Sequence, residues 1–163
     1  MLPSSKGPAG AKASRTRLAR VNRPEAYPRY NSCCMKALLV SVDPHVRQMM
    51  ALAARSVRRS LQDPFETLEA SNGVRGIALA WRELPDVVIA DEISSRAGGF
   101  ALAKDLKGAD PPFPGAVVIL LDRSQDAWLA RWSGADAWFV KPVNPFELAD
   151  TLAGFAADRK EAV

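Results

Sequence analysis

The sequence predicts an α/β protein, a five-stranded parallel sheet with helices on both faces. Three observations carry this. Five short aliphatic runs alternate with segments of helical period. The runs are separated by breaks such as Asp-Pro, Ser-Asn-Gly and Gly-Gly. Ionisable residues then stand just after four of the runs: Asp43, Asp91, Asp122 and Lys141. In a parallel sheet those ends gather at one edge, where ligands of open α/β folds bind.

Residues 36–42 (KALLVSV) form the first strand, short and aliphatic. Asp43 is placed to cap the helix that follows, with Pro44 at its first position. Val46, Met49, Met50, Ala53 and Val57 recur at helical spacing up to about Ser60 and set a buried stripe, leaving Arg47, Arg55, Arg58 and Arg59 for the outer face. After Gln62-Asp63-Pro64, residues 65–70 make a second strand and 74–81 a second helix. Residues 85–91 (PDVVIAD) make the third strand, and a helix opens near Gly98-Gly99 and runs to about Lys107. Residues 116–121 are the most apolar strand, 124–132 a fourth helix and 138–140 the last strand. A final helix spans 145–157, with Asn144 as its cap.

The 163 residues are 48% hydrophobic and 25% charged, enough for one domain with a core and too little for two. Charge divides the chain. Residues 1–35 carry seven Lys or Arg against Glu25 alone, a net +6, and the remainder carries a net −2. That segment is rich in Pro, Ser, Gly and Arg without hydrophobic periodicity, so it reads as a disordered basic tail. A nucleic-acid or lipid arm, a transit-type peptide, or sequence without a role upstream of a true start at Met35 all fit it. The domain proper is 36–157, with 158–163 a short C-terminal tail. No apolar run reaches the length of a membrane helix. The adjacent Cys33 and Cys34 offer neither an easy disulfide nor metal spacing, which indicates a reducing, cytoplasmic setting. His45 reads as a surface residue. No glycine stands in Ser41-Val42-Asp43-Pro44, which argues against a nucleotide-binding enzyme.

The strand-Asp-Pro opening, EASNG before the second helix, PDVVIAD, the following GGF, and GADAWFVKPVNPFEL occur in this order. Together they resemble the receiver domain of bacterial two-component response regulators, a five-stranded flavodoxin-like fold, over essentially all of residues 36–155. The resemblance implies Asp91 as phosphoacceptor and Lys141 as the lysine that contacts the phosphoryl group. It implies Trp138 at the switch aromatic, a histidine kinase or phosphotransfer protein as donor, and a protein target on the face of helix four, strand five and helix five. A lysine beside a carboxylate nucleophile neutralises charge growing on a transferred phosphoryl group. Only eight residues follow Phe155, so the expectation is a stand-alone receiver without a small-molecule substrate.

Two parts of the family pattern are missing. Ser41 and Val42 stand where receivers carry the acidic pair that holds Mg²⁺, which leaves at most weak binding of that ion, through Asp91 with Asp43 one step away. The Ser or Thr ending strand four is replaced by Ile119 or Leu121, depending on register, with Asp122 beside it as an extra negative charge. Asp91 therefore keeps two readings, phosphoacceptor or structural partner of Lys141, and the domain two versions, phosphorelay receiver or phosphorylation-independent pseudo-receiver. A basic-tailed regulator associated with nucleic acid is the rival from another class. Trp128 and Trp132 fit the core at least as well as an interaction face.

Overall fold

The computed structural model describes residues 35–61, 65–93 and 97–161. The basic segment before Met35, and with it the readings of that segment, lies outside these residues. Five strands, β1 (Met35–Val40), β2 (Phe65–Ala70), β3 (Val87–Asp91), β4 (Ala116–Leu121) and β5 (Ala137–Val140), alternate with five helices. These are α1 (Pro44–Leu61), α2 (Gly73–Glu83), α3 (Gly99–Gly108), α4 (Ala127–Trp132) and α5 (Pro145–Glu161). All strand pairs are parallel, in the order β2-β1-β3-β4-β5. The chain thus reverses its direction of sheet growth between β1 and β3, and the C-terminal ends of those two strands flank the crevice where such folds bind ligands.

Strand periodicity divides the core in two. Ala37, Leu39, Ile89, Val118, Leu120 and Phe139 pack under α1 and α5 with Met50, Ala53, Ala54, Val57, Leu148 and Leu152. Leu38, Val40, Val88, Ala90, Val117, Ile119 and Leu121 pack on the other face with Ala80, Leu102, Ala103, Leu106 and Ala130. Because β1, β3 and β4 lie inside the sheet and are covered on both sides, their sequences are apolar without alternation.

Two caps, Asp43 and Asn144, are where the sequence places them, and Asn72 is a third that the structure adds. Asp43 Oδ1 accepts from the His45 amide at 2.8 Å, Asn72 Oδ1 from the Arg75 amide at 2.9 Å and Asn144 Oδ1 from the Phe146 amide at 2.9 Å. Several boundaries differ from expectation: β1 ends at Val40 rather than residue 42, β3 begins at Val87 rather than residue 85, and three helices change. The fourth helix divides into a 3₁₀ turn, Ser124–Asp126, and a short α4. The second helix continues to Glu83, stopped by Leu84 in the left-handed conformation at φ 46°. The last helix runs on to Glu161, beyond the expected end near Ala157, and Arg159 on its final turn pairs with Asp86 at 2.7 Å.

Candidate functional site

Strand ends assemble the site. Asp91 is the last residue of β3, Ser41 follows β1, and Lys141 follows β5; all three continue the columns of side chains that face α1 and α5. Asp91 is only 4% exposed. Its two carboxylate oxygens have different partners: Lys141 Nζ donates to Oδ1 at 2.8 Å, and the Ser41 hydroxyl donates to Oδ2 at 2.9 Å. Ser41 is fully buried, and its oxygen also accepts from the Asp43 amide at 3.0 Å.

Lys141 has a second carboxylate, that of Asp122, in the loop after β4. One ammonium thus bridges Asp91 and Asp122. Burial pulls the Lys141 pKa down, but hydrogen bonds to Asp122 and Asp91 outweigh it, and the net effect holds the ammonium above the ordinary lysine value. The Asp122 amide donates to the Glu92 carboxylate at 2.7 Å, which ties the loop after β3 to the loop after β4. On the β1 side, the Arg47 guanidinium donates to the Ser41 carbonyl and to Glu69 Oε2, the latter at 2.8 Å.

Sequence reasoning located Asp91, Lys141, Ser41 and Asp122 but not the roles of Glu92 and Arg47. Asp43 is exposed and engaged in capping α1, and the Val42 side chain is exposed. Leu121 pairs in register with Val140, and its carbonyl accepts from the Lys141 amide at 2.8 Å, so Leu121 stands at the strand end. Ile119 lies deeper, opposite Trp138. Both are fully buried on the face away from Asp91, where half-buried Trp138 packs beside them under the Arg131 guanidinium, 5.8 Å from the ring centre. His45 is exposed.

Trp128 and Trp132, which by sequence fit the core at least as well as an interaction face, do not lie in the core. They are 64% and 60% exposed, because α4 is only six residues long and buries Ala130 alone. Lys104 of α3 lies over the Trp132 ring at 4.6 Å. Among the described residues no three His, Cys, Asp or Glu side chains gather into a metal-holding group, and no helix is long and apolar enough to cross a membrane.

No family model matches the chain. An uncharacterized response regulatory protein of Mycobacterium tuberculosis is 32% identical over 124 residues, covering 75% of this chain and 91% of that protein. Protein PilH of Pseudomonas aeruginosa is 31% identical over 118 residues, covering 71% of this chain and 94% of its own length. Among solved structures, the chemotaxis response regulator CheY4 of Vibrio cholerae superposes with a TM-score of 0.64 at 24% identity, over 75% of this chain and 98% of that one.

Proposed function

The chain belongs to the response-regulator receiver family of two-component signalling, and from that premise we propose that Asp91 accepts a phosphoryl group from the phosphohistidine of a kinase or phosphotransfer protein. The observation that carries the reading is the 2.8 Å contact between Lys141 Nζ and Asp91 Oδ1 at the crevice between β1 and β3. In the transfer, a carboxylate oxygen of Asp91 attacks phosphorus, the nitrogen-phosphorus bond breaks, and its electron pair leaves with the imidazole. Lys141 is held charged beside the oxygens that gain negative charge. The domain then acts by protein-protein contact through α4, β5 and α5, as a cytoplasmic signalling module rather than an enzyme with a small-molecule substrate.

A second reading, a pseudo-receiver that works without phosphorylation, is favoured by Leu121. A buried isobutyl group at the end of β4 has no donor with which to sense a phosphoryl group, and a modification that makes no differential contact shifts no population. Intact mass after incubation with acetyl phosphate, with and without Mg²⁺ and beside Asp91→Ala, separates the two. A phosphoryl adduct on the wild type alone supports the acceptor reading. Its absence after exposure to both acetyl phosphate and a phosphorylated histidine phosphotransfer domain leaves the pseudo-receiver.

A further inference from the structure

Receiver chemistry implies Mg²⁺, held by acidic residues at the end of the first strand, and the residues of this site do not fit that ion. Mg²⁺ requires near-octahedral oxygen ligands, including one or two carboxylates, at about 2.0–2.1 Å. The side chains following β1 supply instead a buried hydroxyl, Ser41, and an exposed isopropyl group, Val42, which has no donor atom. The carboxylate oxygens of Asp91 are already engaged, Oδ1 by the Lys141 ammonium and Oδ2 by the Ser41 hydroxyl.

The neighbouring oxygens are engaged as well. Asp122 faces Lys141, Glu92 accepts the Asp122 amide, Asp43 accepts the His45 amide, and the Ser41 carbonyl accepts the Arg47 guanidinium. A divalent ion bridging Asp91 and Asp122 would have to occupy the position that the Lys141 ammonium holds between them.

We infer that the Asp91 site excludes divalent cations, with the Lys141 ammonium as its resident cation and the Ser41-Val42 pair as the cause. Lys141 supplies positive charge from a tethered side chain, so charge neutralisation at Asp91 does not depend on the ion concentration in the surroundings. The inference deepens the acceptor reading of the same site, and its test uses no phosphodonor, so either can fail without the other.

The test is titration of the ¹⁵N-labelled full chain with MnCl₂, followed by paramagnetic broadening of backbone amides. In the wild type the Asp91, Glu92 and Ile93 amides should broaden no more than amides remote from the site. The double variant Ser41→Asp/Val42→Asp, which restores two carboxylates at the end of β1, should broaden those three selectively, with an Mn²⁺ affinity on the order of 100-fold higher. Saturable broadening of the three amides in the wild type, at concentrations similar to the variant's, overturns the exclusion. A folded double variant that still shows none overturns the assignment of its cause. If the double variant does not fold, the wild-type titration by itself decides whether the ion binds.

Discussion

The two faces of the sheet are built from the same strands, yet they finish differently at the edge that carries Asp91. Under α1 and α5 each of three apolar columns ends in a polar side chain: Ala37 and Leu39 lead to Ser41, Ile89 to Asp91, and Ala137 and Phe139 to Lys141. On the opposite face Val88 and Ala90, Val117, Ile119 and Leu121, and Trp138 and Val140 remain apolar to the end. Helix length follows the same division. The polar-ended face is covered by helices of 18 and 17 residues, whereas the other face has helices of 11, 10 and 6, and the last leaves two tryptophans in solvent. One face carries a charged site and the other only packing and surface, and Leu121 at the end of β4 gives that second face no hydroxyl.

Lys141→Met tests the polar face most severely. It leaves buried Asp91 with the Ser41 hydroxyl and, at 3.4 Å, the Ile93 amide but no cation, and should lower unfolding stability in urea by about 3 kcal/mol; wild-type stability would show that the ion pair is not what holds the three columns together. Leu121→Thr probes the apolar face. It removes buried carbon and buries a hydroxyl in the apolar cluster that also holds Ile119 and Val140, the register partner of Leu121, so a loss of about 2 kcal/mol in the same assay is expected. A neutral result would mean that this face accommodates the hydroxyl readily.

Ser41→Ala removes one donor to Asp91 and the acceptor for the Asp43 amide, at a cost of about 1–2 kcal/mol by chemical denaturation. A gentler probe is alkaline pH. The Lys141 pKa is raised in the folded protein, so its contribution is fully present below the ordinary value of 10.5 and is lost as pH rises through the higher folded value. Thermal melts should therefore keep a constant gap between wild type and Lys141→Met from neutral pH up to that range, and the gap should close only above it. The smallest effect belongs to Trp128→Ala and Trp132→Ala, each within about 0.5 kcal/mol of wild type in urea. A core-sized loss at either would return it to the interior.

The strands, the caps and the strand-end residues were legible because their signals are local: an apolar run, an Asn or Asp before a helix, a charge after a strand. Asp91 and Lys141 are 50 residues apart, and only the parallel alternation of elements brings them together in the mind of a reader of sequence. Glu92 gave no such sign. Its partner is a backbone amide in a loop 30 residues away, and an acidic residue after a strand suggests solvent before it suggests a tether. The tryptophans mislead for a related reason. Residues four apart share a helix face, but which face is buried depends on how α4 sits against the sheet, and here that contact is made by Ala130. The choice between Ile119 and Leu121 likewise waited on inter-strand pairing, since both are aliphatic and two residues apart on one face.

The pairing of Arg159 with Asp86 has a mechanical consequence. Helix α5 starts four residues after Lys141, at the top of β5, and its last turn is fastened at the foot of β3, the strand whose top carries Asp91. Asp86 also accepts the Lys36 amide at 2.9 Å, so the same fastening reaches the foot of β1. The helix is a strut across the sheet, joined to the strand of Lys141 at one end and to the strand of Asp91 at the other.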